Sequence, residues 1–259
     1  MGVRVPEDEP ASVGLLDDTW YAESVRVSLF LSSAPPLKPL FQSLLGVQPE
    51  QVSERPSQGM KQEVGPYGQG QLFVIQVPGR VDLIYASNQQ VPDLVNPIIQ
   101  VGGLKSSVEV MRVLGVKLIS LVENISRIAF APIAVRRVPS ERDASALLVS
   151  LIPSLPIDVD VDNDILWQKN RRSRSAVSGC LINAHVKWQA VTSQLLSLQT
   201  GPQFRPSPAD MLALFLVRLE IDVNTIESAE IRSFGSDSTL IFEEIYVKSE
   251  EIMKRGGQQ

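Results

Sequence analysis

Hydrophobic and polar residues alternate with period two between Val25 and Leu31, where Val25, Val27, Leu29 and Leu31 interleave with Arg26 and Ser28. Such a pattern predicts a strand with one buried face. Leu37, Leu40, Phe41, Leu44 and Leu45 then recur at helical spacing behind Pro35 and Pro36, which a first helical turn tolerates, and Gly46 closes a short helix over 36–45. Residues 72–77 and 81–87 read as two strands joined by Pro78-Gly79, a pair suited to a type II turn, so a small bulge is expected beside it. Glu109 stands three residues after Ser106, as in a capping box, ahead of a broad apolar face from Val110 to Val122 that predicts a helix over 107–124.

From Ile128 the order returns. A strand is predicted over 128–135, and a helix over 141–151 is capped by Ser140 with Asp143 and ended by Pro153. Three strands follow between residues 165 and 223, and a closing helix spans 239–254. In the last of these strands one face stays apolar from Met211 to Val223, while the other turns from Leu212, Leu214 and Leu216 to Arg218, Glu220 and Asp222. The order predicts an α+β fold of two pseudo-repeated strand-helix-strand-strand-helix halves, 1–125 and 126–259, with mainly antiparallel sheets packed on helices, or one continuous domain of that content. It rests on element order, since the halves share no residue-level identity. Residues 1–18 and 255–259 are expected to be disordered, and the polar stretch 47–70, with Pro49, Pro56 and Pro66, to form a long loop.

Composition narrows the function classes. The 259 residues are 44% hydrophobic and 20% charged, enough to bury a core without disulfides or metals. No apolar run approaches the length of a membrane-spanning helix, and the opening stretch around Pro6, Glu7 and Asp8 lacks a secretory pattern. The single cysteine, Cys180, excludes an internal disulfide framework. A cytoplasmic, non-membrane protein needing no cofactor is the expectation. A net charge of −5 disfavours non-specific nucleic-acid binding, although a local basic patch can still act.

Three constellations could carry chemistry. Lys169, Arg171, Arg172 and Arg174 form the densest basic segment, predicted as a hairpin tip able to grip phosphates. Alternation places Asn183, His185 and Lys187 on the polar face of one strand and Arg218, Glu220 and Asp222 on that of another, so these groups can converge if the strands are neighbours. Asp158, Asp160 and Asp162 alternate with apolar residues in a segment read as extended. Asn163 and Lys169 occupy the places where a calcium loop needs Gly and Glu. No metal site is therefore assigned, and no catalytic residue, since serine-hydrolase, phosphate-loop, zinc and kinase patterns are absent. The glycine-rich 65–70 precedes a strand rather than following one, against a nucleotide loop.

The stretches Gly79-Arg80-Val81-Asp82-Leu83-Ile84-Tyr85, Arg218-Leu219-Glu220-Ile221-Asp222-Val223 and Leu240-Ile241-Phe242-Glu243-Glu244-Ile245 resemble a sporadically distributed family of uncharacterised prokaryotic proteins of similar length. That resemblance implies a bacterial cytosolic protein of two related halves and supplies no catalytic residues. Where the family tends to carry a histidine in its final helix, this chain has Ile245, Tyr246 and Lys248. The expected function is a non-enzymatic protein-interaction module or accessory subunit of a bacterial multi-component system, docking through the 47–70 loop to a protein encoded nearby. The alternative expectation is nucleic-acid binding through the basic segment, and a third is an enzyme built on the polar-face groups.

Overall fold

A computed structural model describes residues 16–33, 37–89, 98–162, 164–196, 211–226 and 233–256. The first half contributes β1 (Tyr21–Leu31), α1 (Leu40–Leu45), β2 (Gln51–Arg55), β3 (Met60–Tyr67), β4 (Gly70–Val77), β5 (Arg80–Ala86), the two-residue β6 (Gly102–Gly103) and α2 (Leu104–Leu121). The second contributes β7 (Ile125–Val138), α3 (Glu141–Leu151), β8 (Leu166–Arg174), β9 (Leu181–Leu196), β10 (Met211–Thr225) and α4 (Ser238–Arg255). The strands make one ten-stranded antiparallel sheet in the order β2-β3-β4-β5-β1-β7-β10-β9-β8, with β6 pairing beside β1.

Period-two alternation sends one set of strand side chains toward the helices. Val25, Val27 and Leu29 of β1, Phe130 of β7, Val217, Leu219 and Val223 of β10, and Ile182 and Trp188 of β9 are all fully buried there. The four helices among the described residues complete this core with Phe41 of α1, Met111 and Leu118 of α2, Leu148 of α3, and Ile241, Phe242 and Ile245 of α4. The opposite face of the sheet carries no helix among the described residues. No described helix is long and apolar enough to cross a membrane.

Segment 47–70 is sheet rather than loop. β2 and β3 form a hairpin in unbroken register from Gln51↔Val64 to Arg55↔Met60, and β3 continues onto β4. Its helix-facing residues are polar or small because α1 covers them. Glu63 is buried, with Oε2 accepting the Phe41 backbone N–H at 3.1 Å and Oε1 3.5 Å from Lys61 Nζ. Gly65 admits the Phe41 ring so closely that a Cβ there would lie 2.6 Å from it. The contacts of Glu63 and Gly65 with Phe41 join residues more than twenty apart in sequence, which is why local periodicity is silent on them.

Other expectations change in detail. α2 starts two residues before the predicted Ser106 cap, because the Leu104 N–H donates to the Trp20 carbonyl at 2.9 Å and fixes Gly103 as the N-cap. The predicted Ser140 cap forms, its side chain accepting from the Asp143 N–H at 3.1 Å. Gly79 has φ 73°, as the second central residue of a type II turn requires, and the β4–β5 register runs through without the expected bulge. Asp158 to Asp162 coil into a turn rather than extending, with the Asp162 N–H donating to the Asp158 carbonyl at 2.8 Å. A clean repeat of the two halves does not emerge, since β2 and β6 belong to the first alone. The first helix starts at Leu40, behind Pro39, rather than at 36, and the expectations for residues 1–15, 34–36 and 257–259 lie outside the described residues.

On the outer side of the helices, Glu109 of α2 accepts from Arg112 Nε and from the Tyr246 hydroxyl at 3.0 Å, tying α2 to α4. The hydrogen bond from Arg112 holds the Glu109 carboxyl below the usual glutamate range, with Tyr246 adding to it. Because the folded value is the lower one, its contribution to stability is present above the ordinary glutamate range and is lost as pH falls through the lowered value. Tyr246→Phe removes one of the two donors, so the Glu109 carboxyl titration followed by NMR is expected to move upward. An unchanged midpoint would mean that the hydroxyl does not hold this carboxylate.

Candidate functional site

The six polar-face residues come together, because β9 and β10 are adjacent and in a register that sets polar side chains opposite one another. Glu220 faces Lys187, Asp222 faces His185, and Asn183 faces Asn224. All lie on the helix-free face, half-buried. β7 continues the surface with Ala129, Ala131 and Ile133, and β1 with Ser24, Arg26 and Ser28. Small side chains on the central strand β7, flanked by longer ones on β1 and β10, leave a hollow of about 380 Å³ lined by Ser24, Arg26, Ile84, Ala131, Ile133, His185, Glu220, Ile221 and Asp222. A second hollow of about 420 Å³ lies at Glu23, Val135, Gln189 and Arg218.

Most charges on this face are matched. Arg218 makes a two-pronged pair with Glu23, at 2.7 and 3.0 Å, and also contacts Glu220, which accepts from Lys187 Nζ at 3.2 Å. The Glu23 hydrogen bonds chiefly raise the Arg218 pKa. Asp222 accepts from the Asn224 side chain at 2.7 Å, and Asp82 pairs with Arg80 at 2.9 Å. Arg127 stacks 4.6 Å from the Phe30 ring centroid and donates to Asn224 at 3.0 Å. The Arg26 side chain is exposed and makes no hydrogen bond or ion pair among the described residues. The Oδ1 atom of Asn183 is buried with no hydrogen-bond partner among them.

The basic segment sits elsewhere and is not a hairpin tip. Lys169, Arg171, Arg172 and Arg174 belong to β8, the outermost strand on its side of the sheet, and the turn that follows is 175–180. Alternation splits them. Trp167 faces Trp188 in the core layer, so Lys169 and Arg171 point to the helix side, where they line a crevice with Ile252 and Gly256 at the end of α4. Basic side chains are favoured beside a helix C-terminus. Arg172 and Arg174 point to the helix-free face, and Arg174 donates to the Gly179 carbonyl at 3.4 Å.

Sequence reasoning missed Arg26, Ala131 and Ser24. The alternation of β1 already marked Arg26 as outward, but only the β1–β7–β10 pairing places it across an alanine floor from Asp222. Cys180 is buried, in keeping with an inert packing role. Among the described residues no group of histidine, cysteine and carboxylate side chains is arranged to hold a metal ion. No protein-family model, curated protein or solved structure matches this chain.

Proposed function

We propose that this chain is a non-enzymatic protein-binding module, an accessory subunit that docks its partner on the helix-free face of the sheet. The observation that carries this reading is the hollow over β1, β7 and β10, with an apolar floor and, on its β10 side, Glu220 tied to Lys187 and Arg218. Acids and bases locked against one another in a chain from Glu23 to Lys187 serve recognition and register better than proton transfer, which needs a group free to change charge. The docking surface moves from segment 47–70 to this face, because that segment is part of the sheet. The resemblance to a bacterial cytosolic family supports a cytoplasmic partner encoded nearby.

Pseudo-two-fold kinship of the halves belongs to the same proposal. Outward from the central β1–β7 pair, the order runs β1-β5-β4-β3 on one side and β7-β10-β9-β8 on the other, which supports it. A module of this kind would set its docking face astride the axis between its halves.

Nucleic-acid binding through residues 169–174 draws less support, since the four cations are divided between two faces. Charged residues along an exposed sheet edge also guard against strand-to-strand aggregation, and β8 is such an edge. The test is affinity purification from the native host with nuclease, comparing the parent with Ser24→Trp, which fills the hollow. The parent is expected to retain a stoichiometric protein, and Ser24→Trp, melting at the parent temperature, to lose it at least about tenfold, as for a bulky intrusion at an interface centre. Retention unchanged by Ser24→Trp, or recovery of nucleic acid alone without nuclease, would sink the proposal.

A further inference from the structure

We infer that the hollow on the helix-free face takes a carboxylate side chain of an acidic, partly apolar peptide segment, anchored by Arg26. The inference rests on the docking-face reading above and adds the chemistry of the occupant. Three observations support it. Arg26 stands in the hollow without an acidic partner among the described residues, whereas Arg218, Lys187 and Arg80 on the same face are each matched to a carboxylate. Its directly opposed cross-strand neighbours are Ile84 on one side and Ala131 on the other, neither of them charged. Ile84, Ala131 and Ile133 form an apolar floor next to it, on which the stem of a glutamate or an adjacent apolar residue can rest.

A guanidinium on such a floor favours a carboxylate, because the charge-assisted hydrogen bond strengthens where water is partly excluded. The far wall decides which anion enters. Asp222 and Glu220 line the same hollow, and Glu23 lies just beyond along the face. They would repel the closely spaced phosphates of a nucleic acid. A peptide can place one carboxylate at Arg26 and present backbone N–H groups or neutral side chains to Asp222 and His185. An acidic peptide is therefore the occupant that satisfies both walls.

Fluorescence anisotropy of the full chain with two labelled octapeptides tests this, one carrying a single central glutamate among serines and leucines and one with glutamine in its place. A labelled oligothymidylate serves as the polyanion control. The parent is expected to bind the glutamate peptide about tenfold more tightly than the glutamine peptide, the usual scale for one charge-assisted contact. Arg26→Gln, an exposed substitution, is expected to bring the two peptides to equal affinity. Ser24→Trp is expected to weaken both together. A parent without preference for the glutamate peptide, a preference surviving in Arg26→Gln, or tighter binding of oligothymidylate overturns the inference. If Ser24→Trp abolishes binding while Arg26→Gln keeps the preference, the face still docks peptides and only the anchor is wrong. If Ser24→Trp leaves both affinities intact, the docking face itself falls.

Discussion

Replacing Phe242 by alanine is expected to cost about 3–5 kcal/mol of folding stability, the range for truncating a buried aromatic side chain. Phe242 is fully buried on α4, and its ring meets Phe130 of β7 edge to face with centroids 6.0 Å apart. It fills a notch at Gly115 of α2 so closely that a Cβ there would sit 2.5 Å from the ring. One side chain thus joins α2, α4 and the central strand. Neighbouring backbone cannot easily collapse into the space it leaves, because the helices are spaced by that ring, so the cavity term should lie at the upper end. Against a typical total of about 5–15 kcal/mol, such a loss removes a large share. Denaturant titration should show a fall in midpoint with little change in slope. A loss below about 1 kcal/mol would contradict the position given to this ring.

Deleting residues 51–67 is expected to abolish cooperative folding altogether. The polar character of this stretch invites its removal as a loop, and a loop could be shortened at little cost. In the fold it is β2 and β3. Its loss strips β4 of one hydrogen-bonded neighbour, opens Leu72 and Val74 at a new edge, and removes Glu63 and Gly65 from beneath Phe41, so α1 loses its seat as well. An apolar strand edge exposed in this way is an aggregation site. Size-exclusion chromatography and a thermal melt of the shortened chain provide the check. A monomer melting as sharply as the parent would show that β2 and β3 are dispensable to the core.

The two expected results separate what could be read locally from what could not. Phe242 belongs to a helix whose apolar residues recur at helical spacing, and its burial follows from that spacing alone. Glu63 and Gly65 sit in a strand whose inward positions are polar or small, and they are buried only because a helix from elsewhere in the chain rests on them. Ser106 and Glu109 had the spacing of a capping box, yet Glu109 turned to Arg112 and Tyr246, partners that a helix surface and a second helix supply. The basic residues 169–174 were visible as a cluster, but a cluster in sequence is divided between two faces once it becomes a strand.

The candidate site shows the same division. That Asn183, His185 and Lys187 share one face, and Arg218, Glu220 and Asp222 another, follows from alternation, which any extended chain obeys. That the two sets meet, with Asp222 facing His185, depends on register, which is fixed by the summed burial of opposite faces and not by any single strand. By itself the sequence determined the α+β content, the order of most elements, the outward faces of β1, β9 and β10 and the absence of familiar catalytic motifs, because these depend on contacts a few residues apart. The tertiary structure alone decided that 51–67 is sheet, that β1 and β7 join the halves, and that the Arg26 side chain stands beside Ala131 with no ion-pair partner among the described residues. Those facts depend on which distant segments pack together, and short-range pattern carries no record of that choice.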